Sequence, residues 1–164
     1  MNQRFTTCEK PGYYRATELV SASDILCMAN RLTQRRFSKG RVLSNSSDAS
    51  AYLTFKLNRY EREVFCVLFL DNRHRVLAFE EMFFGTINGT TVHPREVAKR
   101  ALHHNAAAAI IAHNHPSGEP EPSQADIAIT RRLAKALELV EIRLLDHIVV
   151  GIGNHVSLAD RGLI

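Results

Sequence analysis

Cysteine is scarce in this sequence, and its spacing excludes two ways of stabilising a fold. The 164 residues contain three cysteines, Cys8, Cys27 and Cys66, an odd number with no closely spaced pair. A disulfide framework and a four-cysteine zinc site are both disfavoured by this pattern. Cys27 and Cys66 lie in apolar segments, and we expect both to be small core residues.

Long hydrophobic runs are also missing. The apolar runs fall far short of the ~20 residues that a membrane-spanning helix needs, and the N-terminus does not resemble a signal peptide. We therefore expect a cytoplasmic protein. Neither sign of charge is in large excess, since 21 Lys and Arg against 17 Asp and Glu give a net charge of +4. This mildly basic balance permits contact with nucleic acid without requiring it.

Several catalytic motifs are absent as well. The sequence has no H-E-x-x-H helix, no P-C-x-x-C pair, no Walker-type phosphate loop and no G-x-S-x-G elbow. These absences count against the corresponding zinc proteases, zinc deaminases, nucleotide-binding proteins and serine hydrolases.

The hydrophobic patterns that are present predict an α/β protein. Residues 1–19 are polar and without periodicity, and we expect a loose or partner-dependent lead-in there. Apolar residues at helical spacing and β-branched or aromatic runs alternate through the rest. Helices are predicted at 21–37, 43–57, 93–104 and 123–138, and strands at 62–71, 75–84, 106–113 and 141–153, with a short edge strand or turn at 154–160. The strands at 62–71 and 75–84 should form a hairpin, and the wholly apolar strand at 106–113 should be central and buried on both faces.

The stretch "AHNHPSGEPEPSQAD", residues 112–126, carries the strongest chemical signal. In an extended chain, side chains two positions apart share a face, so His113 and His115 should point the same way at the end of the strand. Asp126 lies at helical spacing with Leu133 and Leu137, so it should face the core at the start of the following helix. Two imidazoles and one carboxylate form a suitable three-ligand set for a catalytic Zn²⁺, one per chain. The competing interpretation is that Ser123 and Asp126 merely form a helix capping box.

The same residues resemble the JAMM motif of MPN/JAB-domain metalloproteases. His113, His115, Pro116, Ser123 and Asp126 match its pattern without a gap. With "VHPREV" before it and "LLDHIVVG" after it, the chain resembles the RadC family more narrowly, from about residue 21 to the C-terminus and most specifically across 92–150. It resembles a short member without the helix-hairpin-helix segment of longer RadC proteins.

This resemblance implies a fold, a metal and a set of roles. The fold would be α/β of the cytidine-deaminase-like MPN/JAB type, with three α-β-α layers and a mixed, curved sheet. The domain would span 42–164, after a helical lead-in at 1–41. Zinc would be held by the two histidines and the aspartate, Ser123 would help to stabilise the oxyanion, and an upstream glutamate would serve as general base and acid.

The glutamate must be chosen among several. In the family pattern it precedes an apolar core strand, and Glu63 fits that placement. Glu80 and Glu81 in the next strand are the alternatives. Asp146 and His147 are adjacent on a strand, so only one of them can point to the site, where it could support a ligand imidazole. The alternative is that both are structural polar residues.

The sequence therefore predicts a zinc-dependent metallopeptidase or isopeptidase acting on an unidentified peptide or protein. A second interpretation is a DNA-associated factor in repair or mobile-element biology. It rests on the family's link to DNA repair and on a basic cluster of Arg31, Arg35, Arg36, Lys39 and Arg41. A third is a binding module that keeps the zinc fold without turnover.

Overall fold

The computed structural model describes residues 4–36, 40, 42–43, 46–86 and 90–164, and it divides the chain into two compact units, Met1–Ser38 and Lys39–Ile164. Among the described residues, no helix combines the length and the apolar character needed to cross a membrane. The boundary between the lead-in at 1–41 and the MPN/JAB domain at 42–164 stays a prediction.

The first unit contains more regular structure than its sequence pattern indicates. Strands β1 (Phe5–Thr7) and β2 (Tyr14–Ala16) pair antiparallel, so the prediction of a loose segment is wrong for the described residues 4–19, and the alternative of a partner-dependent segment stays a prediction. The strands are too short and too exposed to show hydrophobic alternation, and the turn between them depends on Gly12 at φ +84°. Helix α1 (Ala22–Arg36) follows, capped by Ser21.

Cys27 is exposed, which corrects its assignment to the core. The half-buried side of α1 runs through Asp24, Met28 and Leu32, and Cys27 lies about 100° around the helix from Met28. Cys66 is fully buried, as expected, and burial raises the pKa of its thiol.

The second unit is built on a five-stranded mixed sheet. Its elements are α2 (Ser46–Leu57), β3 (Val64–Leu70), β4 (Val76–Phe84), α3 (Pro94–His103), β5 (Ala108–Asn114), α4 (Gln124–Glu138), β6 (Arg143–Val150) and β7 (His155–Ser157). The strand order is β4-β3-β5-β6-β7, in which β5 and β6 are parallel and the other neighbours are antiparallel. The prediction of an α/β fold with a mixed sheet is confirmed, as are the hairpin and the central strand.

Helices cover both faces of this sheet. Phe65, Val67 and Ile111 belong to one core cluster with Val97 of α3 and Leu133 of α4. The opposite face is covered by α2, where Tyr52 meets Phe79 edge to face at a centroid distance of 5.4 Å. Strands β3 and β5 are buried along their whole length between these layers, which explains their uninterrupted apolar sequences.

The parallel β5-α4-β6 crossover brings the carboxyl ends of two strands close to the start of a helix. The carboxyl ends of β5 and β6 lie side by side, with His113 opposite Val149. The chain leaves β5 and begins α4 near these carboxyl ends, which is where open α/β sheets place their ligands.

Glu80 of β4 forms an ion-pair cluster with helix α3. Its carboxylate accepts hydrogen bonds from Arg100, with Nε to Oε2 at 2.7 Å, and from His104, with Nε2 to Oε1 at 2.6 Å. Together these bonds lower the pKa of Glu80 from 4.5 to about 2, and the bond from Arg100 contributes most to this shift. The folded state therefore favours the ionised form, and Glu80 should stabilise the fold above pH 4.5 and lose that contribution as the pH falls toward 2.

We expect Glu80→Gln to lower the free energy of unfolding at pH 7 by about 1–3 kcal/mol, as for hydrogen bonds to a charged group. The difference from wild type should shrink between pH 4.5 and 2. Denaturant unfolding of both proteins across this range measures it. Glu96→Gln is the matched control, since the ion pair that Glu96 forms among the described residues is a long one of 4.0 Å to exposed Lys99. Parallel pH profiles for wild type and Glu80→Gln would contradict the assignment.

Candidate metal centre

His113 and His115 lie on one face at the end of β5, as the alternation of an extended strand requires. His113 is buried and His115 is partly exposed. Their Nε2 atoms are 2.9 Å apart. Pro116 follows immediately, and the 115–118 turn closes with a hydrogen bond from the Gly118 N–H to the His115 carbonyl at 2.9 Å.

Asp126 comes to the histidines from the first turn of α4. Its Oδ1 is 3.3 Å from His113 Nε2, and its Oδ2 is 3.6 Å from His115 Nε2. One ligand atom from each of the three residues lies within 4.8 Å of the others. Among the residues that the structure describes, this is the one group of three or more histidine, cysteine or acidic side chains with such spacing.

The capping box and the ligand cluster share the same carboxylate. Ser123 is the N-cap of α4 and accepts a hydrogen bond from the Asp126 N–H at 3.2 Å. Asp126 Oδ2 accepts from the Ser123 N–H at 2.7 Å and from the Ser123 hydroxyl at 2.6 Å. These bonds leave Oδ1 as the freer oxygen. The two interpretations of Ser123 and Asp126 are therefore compatible, because the cap orients the carboxylate toward the histidines.

The tautomer of His115 is fixed by the backbone. Its Nδ1 lies 2.8 Å from the carbonyl oxygen of Glu119, and a carbonyl can only accept, so Nδ1 carries the proton. In the neutral ring, Nε2 is then a bare acceptor facing His113 and Asp126.

Electrostatics in the cluster keep one imidazole neutral and the carboxylate ionised. Burial lowers the pKa of His113 to about 4. The Asp126 carboxylate raises the pKa of His115. Burial alone would raise the pKa of Asp126, but His115, His113 and the bonds from Ser123 together hold it well below its ordinary value.

Glu63 lines the same cavity as two of the clustered residues. This cavity of about 220 Å³ is walled by Phe65, Val92 and Ile129, with Glu63, His113, Asp126, Thr90 and Arg132 also lining it. Burial raises the pKa of Glu63, and the nearby Asp126 charge adds to this. A half-buried carboxyl with a raised pKa is suited to general acid–base work.

The two alternative glutamates are occupied elsewhere. Glu80 is held by Arg100 and His104 over α3, and Glu81 accepts from Arg59 Nη2 at 2.9 Å. Neither lines the cavity beside the cluster. The geometry therefore favours Glu63 over both, and its catalytic role is carried forward as a proposal.

Asn114 holds the segment that carries Glu63, and sequence reasoning missed it. The side chain is buried, and its Oδ1 accepts from the Val64 N–H at 2.8 Å. Its Nδ2 donates to the carbonyls of Arg62 at 3.0 Å and Tyr60 at 3.3 Å. A buried amide at the end of an apolar strand is a signal that a polar partner is needed, but the sequence does not show which segment provides it.

His147, not Asp146, points to the cluster. His147 Nε2 lies 2.9 Å from His113 Nδ1, and its Nδ1 lies 2.6 Å from Thr130 Oγ1. Asp146 faces the other way and accepts from the Ser157 hydroxyl at 2.8 Å. The pattern "LLDHIVVG" did not indicate which of the two residues faces the site, and the structure shows that it is His147.

The basic cluster falls mostly outside the described residues. Arg31 is exposed on α1. Lys39 and Arg41, and the side chains of Arg35 and Arg36, lie outside the described part of the chain. Contact with DNA stays a prediction.

The chain is similar in sequence to one family model and to proteins of other organisms. Residues 43–163 match the model of the RadC-like JAB domain family. A UPF0758 protein of Nitrosococcus oceani is 55% identical over 157 residues, which cover 96% of this chain and 70% of that protein. A UPF0758 protein of Xanthomonas oryzae pv. oryzae is 57% identical over 135 residues, covering 82% of this chain and 60% of the relative. The chain thus spans between three fifths and seven tenths of the length of these relatives.

Proposed function

The chain belongs to the RadC-like JAB domain family, and we propose that it is a zinc-dependent hydrolase that cleaves an amide bond in a peptide or protein. The family fold resembles that of JAMM-type metallohydrolases. The metal, the reaction and the roles of individual residues are our proposal, and a cytoplasmic location stays a prediction.

One observation carries this proposal: acceptor atoms converge in a small volume. His115 Nε2 carries no proton in its neutral ring, and it lies 2.9 Å from His113 Nε2 and 3.6 Å from Asp126 Oδ2. Lone pairs at such distances repel unless a cation or a proton lies between them. Two imidazole nitrogens and a carboxylate oxygen are the ligand set of a catalytic zinc that keeps one position open. The donor set therefore fits zinc, with His113, His115 and Asp126 as its ligands.

The protein groups around the cluster fit hydrolysis. Zinc, when bound, supplies Lewis-acid activation of water and of a carbonyl oxygen. We assign Glu63 to accept the proton of the attacking water and to pass it to the leaving amine, because it lines the cavity beside the ligands. We assign the Ser123 hydroxyl to the developing oxyanion. It now donates to Asp126 Oδ2 at 2.6 Å, so this role requires it to turn toward the substrate.

The cavity supports a peptide as the substrate class. It lies beside the proposed ligands His113 and Asp126 and has a volume of about 220 Å³. Phe65, Val92 and Ile129 offer an apolar wall, whereas Thr90 and Arg132 provide polar contacts.

Metal analysis combined with a hydrolysis assay tests the proposal. Protein purified without added chelator should hold one zinc per chain and should cleave members of a mixed internally quenched peptide library. Chelation should abolish both, and stoichiometric zinc should restore them. Protein with stoichiometric zinc and no hydrolysis of peptide or protein libraries would favour the non-catalytic binding module. Protein that takes up no zinc would overturn the proposal altogether.

A further inference from the structure

A chain of buried hydrogen bonds runs behind the ligand cluster. It begins at His113 Nδ1, which lies 2.9 Å from His147 Nε2. It continues from His147 Nδ1 to Thr130 Oγ1 at 2.6 Å. It ends where the Thr130 hydroxyl donates to the backbone carbonyl of Asp126 at 2.5 Å. His147 and Thr130 are fully buried, so no solvent competes for these bonds.

The direction of every proton in this chain follows from its last member. A carbonyl oxygen can only accept, so the single hydroxyl proton of Thr130 goes to Asp126. The oxygen of Thr130 must then accept a proton from His147 Nδ1. A neutral His147 is left with a bare Nε2, which accepts from His113 Nδ1. A neutral His113 therefore carries its proton on Nδ1 and presents a bare Nε2.

That bare nitrogen is the one that faces the cluster. His113 Nε2 lies 2.9 Å from His115 Nε2 and 3.3 Å from Asp126 Oδ1. A free histidine side chain prefers the opposite tautomer, with its proton on Nε2, and this tautomer cannot ligate a metal through that atom. The chain of bonds imposes the less common tautomer and also fixes the plane of the ring.

We propose that His147 and Thr130 are positioning residues that set the metal affinity of the site by holding His113 in its ligating tautomer. The inference rests on the proposed metal centre and extends it to two residues that touch neither metal nor substrate. The chain of bonds starts on β5, passes through β6 and ends on α4. It therefore connects the two elements that carry the ligands, β5 and α4, through the neighbouring strand β6. Partners of this kind typically contribute 10- to 100-fold to metal affinity.

Zinc affinity of matched variants tests this proposal. Metal-free proteins are titrated against a chromophoric zinc chelator of known affinity. His147→Phe keeps the ring shape and removes the acceptor, and zinc affinity should fall about 10- to 100-fold. His147→Gln should recover part of this loss, because its side-chain oxygen can accept from His113. Thr130→Val should weaken binding, whereas Thr130→Ser, which keeps the hydroxyl, should bind zinc like wild type.

Nitrogen-15 NMR of the histidine rings gives a readout that does not need zinc. In the metal-free wild type, His113 should show a protonated Nδ1 and a bare Nε2. In His147→Phe its proton should move to Nε2. Thermal unfolding shows which variants are folded, and if His147→Phe is not, the Thr130→Val and Thr130→Ser pair decides on its own.

Two results would overturn the proposal. One is a wild-type His113 with its proton on Nε2. The other is equal zinc affinity in wild type and Thr130→Val. If Thr130 only satisfied the hydrogen-bonding groups of its buried neighbours, this substitution would alter the stability of the protein and not its zinc affinity. Failure of the proposed function looks different. If the protein is no hydrolase but holds zinc, the affinities of the variants still test the positioning role. If neither wild type nor any variant binds zinc, the ring protonation of His113 still shows whether the bonds operate.

Discussion

Replacing Glu63 with Gln should lower the rate of peptide hydrolysis by about 10²- to 10⁴-fold and leave zinc bound, as expected for loss of a general acid–base group. The amide has the shape of the carboxylate but cannot accept the proton of the attacking water. Glu63 lines the cavity with His113 and Asp126 and is not among the clustered ligands, so the metal content should not change. Steady-state kinetics and metal analysis on the same preparation measure both quantities, and the loss should lie in kcat more than in KM.

Glu61→Gln is the matched control for this experiment. Glu61 is exposed, lies two residues earlier in the chain and lines no part of the cavity. Its substitution removes the same charge and should leave hydrolysis unchanged. Equal activity of Glu63→Gln and wild type would reject Glu63 as the base. Equal losses in both variants would point to a general charge effect instead.

Replacing His115 with Ala should empty the proposed metal site and reduce hydrolysis to background. His115 supplies one of three ligand atoms, and its partly exposed position at the end of β5 means that the fold should survive. Zinc at 100 times its dissociation constant should stabilise the wild type by about 2.7 kcal/mol, because it binds the folded state. The variant should show no zinc-dependent shift in its unfolding transition.

His155→Ala controls for the loss of an imidazole. His155 is exposed on β7 and does not belong to the cluster, so this variant should keep one zinc per chain and respond to zinc like wild type. If His115→Ala retained its zinc and the zinc-dependent stabilisation, the three-ligand assignment would be wrong.

The order of helices and strands in the second unit was predictable because its causes are local, whereas the short strands β1 and β2 of the first unit were not predicted. A short uninterrupted apolar run that ends at a Pro/Gly loop, such as that of β5, favours a buried strand, and Pro94 opens α3 at the first helical position. The spacing of His113, His115 and Asp126 also contains enough information to bring them together, since strand alternation and helical phase fix which way each side chain points.

What the sequence could not provide are contacts between residues far apart along the chain. The bond from His113 to His147 depends on the register of two parallel strands, which hydrophobic patterns do not determine. The bonds of Asn114 to residues 60–64 depend in the same way on the alignment of β3 with β5. The engagement of Glu80 away from the cavity is a contact of the same kind, because it depends on Arg100 of α3 being within reach of Glu80.

The shared carboxylate of Asp126 has a consequence for the stability of the fold. A metal bound by His113 and Asp126 would close the loop between the end of β5 and the start of α4, acting as a reversible cross-link. A disulfide across a loop of about 15 residues stabilises a fold by about 3 kcal/mol because it persists in the unfolded chain and restricts it. An ion that leaves the unfolded chain stabilises only through its binding to the folded state, so this cross-link would strengthen as the free metal concentration rises. In a protein with three unpaired cysteines, such a cross-link would also hold under reducing conditions.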